Sequence, residues 1–165
     1  MSQENRLLVR KIREGIVIDH IPAGLGLIVA KVLGLITSQG ILNKKLKAPI
    51  VILMNVESQK LGKKDLLKIE GFFLNEQQIN KVALIAPMAT INIIKDWNVK
   101  RKFRAIPPKI VKGLLQCPNH RCITNRRNEP IKPTFELINN DPLIYKCIYC
   151  DTTLTRHEII SQLLA

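Results

Sequence analysis

Four cysteines are the residues of this chain whose spacing points most directly to chemistry. They form two close pairs, Cys117 with Cys122 and Cys147 with Cys150, in the pattern C-x4-C, a 24-residue insert, and C-x2-C. Two such pairs can surround one metal ion tetrahedrally. Thiolates are soft ligands, so Zn²⁺ is the expected metal and iron is the competitor. Two disulfides or free buried thiols are the other interpretations, and no secretory signal in the sequence favours disulfides.

A site made of four protein thiolates has no open coordination position. Catalytic zinc usually keeps one position for water or substrate. The sequence therefore predicts one structural Zn²⁺ per chain, whose binding contributes folding free energy on the order of 10 kcal/mol. His120 lies inside the first cysteine pair and is either a substitute ligand or an ordinary loop histidine.

The stretch GIVIDHIPAGLGLIVAKVLGLI, residues 15–36, raises the question of nucleotide chemistry. A strand, a G-L-G and a helix are how a dinucleotide-binding unit begins. That fingerprint requires G-x-G-x-x-G, however, and Val29 stands where the third glycine belongs. No P-loop motif is present, and no arrangement of nucleophile and base can be defended. The sequence predicts no catalysis by this chain.

The chain is strongly basic, with a formal net charge of +13. Residues 95–132 hold eleven Lys or Arg against two acids, Asp96 and Glu129. A basic surface attracts phosphates, so nucleic-acid binding is one interpretation. A solvated face and a surface for an acidic partner are the others. Aromatic residues make up only 4% of the chain, which disfavours recognition by base stacking.

Hydrophobic periodicity predicts the elements of the N-terminal half. Strands are expected at about 15–20, 49–57 and 63–71, and ATINIIKDWNVKRKF (89–103) alternates as a long strand or hairpin arm. Helices are expected over about 23–35 and from Asn75 to about Ala86. The order βαββαβ predicts an α+β, ferredoxin-like domain, in which an antiparallel sheet carries two helices on one face.

The sequence changes character at Ile106–Pro108, since no cysteine precedes this segment and all four follow it. We predict an N-terminal domain over 1–105 and a C-terminal domain over 106–165. The second is too short to be stable on apolar burial alone and needs its metal. Strands expected at 131–138 and 143–149, joined by a turn at 139–142, make it a small all-β domain. The final LTRHEIISQLLA fits a strand or a short helix.

The longest apolar run lies near residues 24–36 and carries Lys31. A run of about 13 residues is too short to span a bilayer. We therefore expect a cytoplasmic protein.

Three segments carry a resemblance to a known family: RKIREGIVIDHIPAG (10–24), GKKDLLKIEGFFLNEQQINKVALIAPMATINIIKDWNV (62–99) and CPNHRC…KCIYC (117–150). They resemble, in the same order, segments of aspartate carbamoyltransferase regulatory chains. The resemblance extends from about Leu7 to Cys150 and identifies the chain as a member of that family.

The resemblance implies an N-terminal allosteric domain that binds nucleoside triphosphates, namely CTP, ATP and often UTP. It also implies a C-terminal zinc domain that contacts the catalytic chain. In this family, regulatory dimers bridge catalytic trimers into a dodecamer of six catalytic and six regulatory chains. The catalytic chain joins carbamoyl phosphate to aspartate in pyrimidine biosynthesis, and the regulatory chain catalyses nothing.

Carried over by motif, the resemblance implies that Asp19 and His20 face the nucleotide and that Lys68 and Lys102 contact ribose or phosphates. Lys64 and Asn92 are second candidates. The base pocket would be lined by backbone near Ile12, Val17, Ile94, Trp97 and Val99. Lysines suit a triphosphate of about four negative charges, and Asp19 can accept from ribose hydroxyls. Trp97 stands where the family pattern has tyrosine, which bears on base discrimination.

Without the resemblance, simpler interpretations stay open. An Asp-His pair at a strand end can be a turn element, and Lys64 and Lys68 can belong to a solvated face. The alternative function is a zinc-ribbon nucleic-acid-binding protein, which predicts tight and strongly salt-dependent oligonucleotide binding.

Overall fold

The computed structural model describes residues 9–165, so the first eight residues of the predicted N-terminal domain lie outside the described part. The strands are β1 (Gly15–Pro22), β2 (Ile50–Ser58), β3 (Gly62–Glu70), β4 (Thr90–Lys95), β5 (Asn98–Arg104), β6 (Ile110–Lys112), β7 (Thr134–Asn140), β8 (Leu143–Cys147) and β9 (Thr153–Thr155). The helices are α1 (Gly26–Val32), α2 (Glu76–Ile85) and α3 (Arg156–Leu164), with a 3-10 turn at Ile123–Asn125. None of the helices in this part of the chain is long and apolar enough to cross a membrane.

The first sheet has five strands in the order β2-β3-β1-β4-β5, and each neighbouring pair is antiparallel. Its first four strands, with α1 and α2, confirm the predicted ferredoxin-like arrangement. Alternation places Ile16, Ile18 and Leu67 in the core with Val29 and Val82 of the helices. The opposite face of the sheet carries the polar residues of the same strands.

The segment 89–103 forms a hairpin, which was one of the two predicted alternatives. Asp96 and Trp97 make its turn, with φ of 48° and 67°. Positive φ at both central residues is the backbone of a tight turn that matches the twist of the paired strands. The hairpin adds β5 to the edge of the sheet and holds the indole of Trp97 at its tip.

The G-L-G loop does bind an anion, and that anion is a side chain of the same protein. Asp65 is fully buried. Its Oδ2 accepts hydrogen bonds from the backbone N–H groups of Gly24 (2.9 Å) and Gly26 (2.8 Å), and its Oδ1 accepts from Asn55 (2.8 Å). A Cβ at Gly26 would lie 3.0 Å from this carboxylate. The loop therefore fastens the start of α1 to β3 and leaves no room there for a phosphate.

The second sheet has four antiparallel strands in the order β6-β7-β8-β9. Phe135, Tyr145 and Leu154 fill its core together with the cysteines. The Tyr145 hydroxyl donates to the carbonyl of Pro108 (2.7 Å) and so fastens the linker to the sheet. Strand β7 extends through Asn140, which shortens the predicted four-residue turn to residues 141–142.

The C-terminal stretch, which the sequence left open, is a short strand followed by a helix. Thr155 and Glu158 form a capping box at the start of α3. Ile159 packs into the core of the second sheet, whereas Ile160 packs against the core of the first. Arg156 donates through Nε and Nη2 to the carbonyl of Ile85 at the end of α2, with an Nε–O distance of 3.0 Å. Helix α3 thus joins the two halves.

Candidate functional sites

The four cysteines form one cluster. Their Sγ atoms all lie within 4.8 Å of one another; Cys117 and Cys150 are 3.4 Å apart, and Cys122 and Cys147 are 3.8 Å apart. Tetrahedral Zn²⁺ with Zn–S bonds of about 2.3 Å separates its sulfurs by about 3.8 Å. A disulfide needs an S–S distance of about 2.05 Å, and all four thiols are free. The cluster fits a four-thiolate zinc site.

Backbone turns position the two cysteine pairs. Cys147 ends β8. The backbone N–H of Asp151, a residue with φ of 62°, donates to the carbonyl of Cys147 (3.0 Å) and closes the turn that holds the second cysteine pair. On the other side, the amide of Asn125 donates to the carbonyls of Cys117 and Asn119, both at 2.8 Å. These contacts hold two separate loops with their sulfurs converging. His120 lies in the first loop and is not part of the cluster.

The pKa values of the cluster's thiols are shifted in both directions. Burial raises the pKa of the Cys117 and Cys147 thiols, because desolvation disfavours the thiolate. Burial disfavours the thiolate at Cys150 too, but hydrogen bonds with Thr152 lower the pKa of Cys150 to about 6. A metal ion reverses the effect of burial and holds coordinating thiols deprotonated. With the metal bound, the Thr124 hydroxyl, 3.2 Å from the Cys122 sulfur, can donate to the thiolate. When bound, the ion ties both loops to the end of the sheet, and this is a structural role.

A second arrangement lies on the face of the first sheet that points away from the helices. Lys68, Val17, Asn92 and Lys102 are in register across β3, β1, β4 and β5. Side chains in register across antiparallel strands project to the same face. The fold therefore brings two lysines that are far apart in sequence to the two ends of one row.

A cavity of about 290 Å³ opens beside this row, next to the β4–β5 hairpin. Six residues of the predicted nucleotide site line it: Ile12, Val17, Lys68, Ile94, Trp97 and Val99. Trp97 is 57% exposed, so its indole is free to contact a planar ligand. Lys11 and Asn98 complete the lining. The walls are mainly apolar, and two lysines, Lys11 and Lys68, contribute to them.

A polar cluster adjoins the cavity at the far end of β1. Asp19 Oδ1 lies 2.7 Å from Lys64 Nζ and accepts the backbone N–H of His20 at 2.6 Å. The imidazole Nδ1 of His20 lies 3.1 Å from the hydroxyl of Thr90. His20 has φ of 56° and interrupts the register between β1 and β3. This local backbone turn directs the Asp-His pair to the open face.

The charges around His20 are mostly positive. Burial is the main cause of the lowered pKa of His20; Lys64, Lys60 and Lys102 lower it further, and Asp19 alone opposes them. Burial disfavours a charge of either sign, so only the contribution of the three lysines to this shift reflects a positive potential. The lysines that surround His20 therefore mark a region suited to phosphate groups.

The remaining predicted residues lie on the same face. The Asn92 amide is 3.4 Å from the carbonyl of Val17, a long contact that leaves it available. Lys68 Nζ donates to the carbonyl of Arg10 (2.9 Å), and burial lowers its pKa. Lys102 is exposed. All eleven predicted residues thus belong to the cavity or to the polar surface around it.

The sequence-based prediction omitted one cation that the register adds. Arg104 pairs with Thr90, which pairs with Asp19, so these three residues form a second row beside the first. The signal was the two-residue period of the strand, which puts Arg104 on the same face as Lys102. Asn98, which lies between two predicted residues, was also omitted, and so was Lys60, which only the folded chain brings near His20.

Family comparisons explain why these two arrangements occur together. Residues 7–105 match the family model described as aspartate carbamoyltransferase regulatory chain, allosteric domain. Residues 109–160 match the model for the metal binding domain of the same chain. The chain belongs to the aspartate carbamoyltransferase regulatory chain family. Full-length relatives carry the same name: that of Thermofilum pendens is 51% identical over 162 residues, covering 98% of each chain, and that of Hyperthermus butylicus is 48% identical over 163 residues, covering 99% of this chain and 98% of its own.

The family assignment confirms the predicted regulatory role. As a regulatory chain of aspartate carbamoyltransferase, the protein has an allosteric and a metal-binding domain, and catalysis lies in the catalytic chain, which is its partner. The cysteine cluster falls within the matched metal-binding segment, and its geometry is consistent with zinc.

Proposed function

We propose that this regulatory chain binds CTP and ATP, with UTP as a further candidate, on the open face of its first sheet. The observation that carries the proposal is the row in which Lys68 and Lys102 stand at the two ends, with Val17 and Asn92 between them, beside a mainly apolar cavity. A nucleoside triphosphate has the matching chemistry, with a flat base at one end and about four negative charges at the other.

The proposed pose follows the chemistry of the surface. The base enters the cavity formed by Ile12, Val17, Ile94, Trp97 and Val99, where backbone carbonyls can accept from an exocyclic amino group. Lys68 and Asp19 contact the ribose. The phosphates extend toward a group of cations that share the far side of the face: Lys102, Arg104, Lys64 and His20. Asn92 bridges the two regions.

We further propose the assembly that the family resemblance implies. The domains are 1–105 and 106–165, and Cys117, Cys122, Cys147 and Cys150 bind one Zn²⁺. Six regulatory chains, paired as homodimers, join six catalytic chains in the cytoplasm. The free edge of β2, with Met54 exposed on it and Leu61 exposed in the following turn, supports pairing of regulatory chains.

Regulation requires that the nucleotide bind the low-activity and high-activity assemblies with different affinity. A coupling free energy of about 1–3 kcal/mol is typical. We propose that the signal crosses from the first sheet through α2 and α3 to the zinc domain, because Arg156 and the packing of α3 connect these elements. The zinc domain then biases the contacts with the catalytic chain.

Calorimetric titration of the zinc-loaded protein with CTP tests the proposal. We expect saturation near one CTP per chain at both low and high salt, with weak and salt-sensitive binding of a single-stranded oligonucleotide as comparator. Tight oligonucleotide binding without CTP binding would instead favour the zinc-ribbon function.

CTP affinity is expected to fall as the pH rises, through His20. In the free chain the pKa of His20 lies below its ordinary value, and adjacent phosphates raise it. At pH values between the pKa of His20 in the free chain and its higher pKa in the complex, CTP binding is accompanied by protonation of His20. CTP affinity is therefore highest below this pH range and declines as the pH rises through it. Calorimetry near pH 6 in buffers of different ionisation enthalpy measures the uptake. Because CTP also titrates there, His20→Asn is the control, and an unchanged proton uptake in this variant would exclude His20 as the source.

A further inference from the structure

A cavity of about 660 Å³ lies at the seam between the two halves of the chain, apart from both sites described above. Its walls come from the ends of β1 and α2, the linker, the β7–β8 turn and the start of α3. Small-molecule sites typically have volumes of 300–1,000 Å³ and occur preferentially where domains meet. This cavity satisfies both conditions.

Four prolines from four separate segments form much of the wall: Pro22, Pro87, Pro107 and Pro142. The proline ring fixes φ and has no N–H donor. These walls are therefore apolar and rigid before any ligand arrives. A preformed cavity loses less ordering entropy on binding than a flexible one. The shape and chemistry suit a flat apolar group.

One positive charge faces this apolar space. The guanidinium of Arg156 is partly buried, and its protein partner is the neutral carbonyl of Ile85. Within residues 9–165, no carboxylate lies within 4.0 Å of it. Burial lowers the pKa of Arg156, and the more distant Asp141 opposes the shift. Asp141 compensates this partly desolvated cation only at longer range, and a ligand carboxylate can pair with it directly.

The start of α3 also favours a negatively charged group in the cavity. Arg156 and His157 form its first turn at the cavity wall, where the helix dipole favours negative charge. Asp141 also lines the cavity and disfavours a second negative charge. A ligand with one negative charge matches this balance better than a triphosphate does.

We propose that the seam cavity binds a small organic monoanion with a flat apolar body, whose carboxylate pairs with Arg156. Such a ligand contacts both halves at once and stabilises one relative orientation of them. The cavity is therefore a second effector site, and it does not depend on nucleotide binding at the first sheet.

NMR of the zinc-loaded, ¹⁵N-labelled full chain tests the site directly through the Nε–H resonance of Arg156. The probes are 2-naphthoate, its neutral analogue 2-naphthylmethanol, and inorganic phosphate. We expect 2-naphthoate to shift this resonance saturably with a Kd of about 1 mM. The neutral analogue should bind several-fold more weakly, and phosphate should give no saturable shift. An unshifted Arg156 resonance, or equal binding of acid and alcohol, would overturn the proposal.

A matched pair of variants excludes general charge effects. Ile106 lines the cavity and is 67% exposed, whereas Ile110 lies outside it and is 54% exposed. Ile106→Glu should weaken 2-naphthoate binding about tenfold, because it places a carboxylate beside the ligand's own. Ile110→Glu should leave binding unchanged. Equal weakening in both variants would show that the naphthoate binds through net charge alone, and the proposed site would be wrong.

Discussion

Replacing Cys147 with serine is expected to release the metal and unfold the second sheet. Cys147 is fully buried at the end of β8 and holds one corner of the four-sulfur cluster. Structural zinc contributes an apparent folding free energy of about 10 kcal/mol. A domain of this size lacks the apolar burial to compensate. Losing the free energy of zinc binding therefore leaves the second sheet unfolded, because its apolar burial alone cannot stabilise it.

The measurement combines zinc content after dialysis, circular dichroism and size-exclusion chromatography with catalytic trimers. We expect less than one zinc per chain and loss of the complex with catalytic chains. His120→Ala is the matched control, because His120 lies in the first cysteine loop but outside the cluster. This variant should keep its zinc and its assembly. A Cys147→Ser protein that retains stoichiometric zinc and a folded second sheet would refute the four-thiolate site.

The double substitution of Lys68 and Lys102 by alanine is expected to abolish the response of the reconstituted enzyme to CTP and ATP. Charge-assisted hydrogen bonds contribute about 1.5–3 kcal/mol each, and exposure of Lys102 places it at the low end. Loss of both should weaken nucleotide affinity about 100-fold. Because Lys68 also donates to Arg10, the affinity and the fold of the variant are both checked.

The control removes the same charge elsewhere. Lys109 and Lys112 are exposed on the second half of the chain. Their double substitution by alanine changes the net charge equally but leaves the proposed nucleotide surface intact, so CTP affinity and activity responses should persist. Calorimetry of the isolated chain and activity of the assembled enzyme are measured for both variants. Unchanged CTP and ATP responses in the Lys68/Lys102 variant would contradict the proposed nucleotide site.

The metal centre was predictable because its signal is local. Two cysteines within one loop can bind one ion almost regardless of the rest of the fold, so spacing alone indicates the ligand set. The sheet was predictable for a similar reason. In β3, for example, apolar Leu67 and Ile69 alternate with charged Lys68 and Glu70, and this pattern indicates which face is buried before any partner strand is known. The order of these elements then leaves few possible topologies.

The open face of the first sheet was predicted only through family motifs. By composition, Lys64 and Lys68 look like any solvated lysines. Their significance depends on register, which places Lys68 and Lys102 in one row and Arg104 beside Asp19. The β4–β5 part of this register follows from a local turn, but the pairings of β1 with β3 and with β4 join strands that are distant in sequence, so the complete row exists only in the folded sheet.

By itself, the sequence determined the four-thiolate centre, the βαββαβ order and the regulatory-chain family, because each depends on residue type at fixed local spacing. Tertiary structure alone decided which anion the G-L-G loop receives, since Asp65 lies on another strand. It also decided that α3 packs across the seam and leaves Arg156 facing a cavity. Both outcomes arise from contacts between residues about 40 and 70 positions apart, and such contacts exist only once the whole chain has packed.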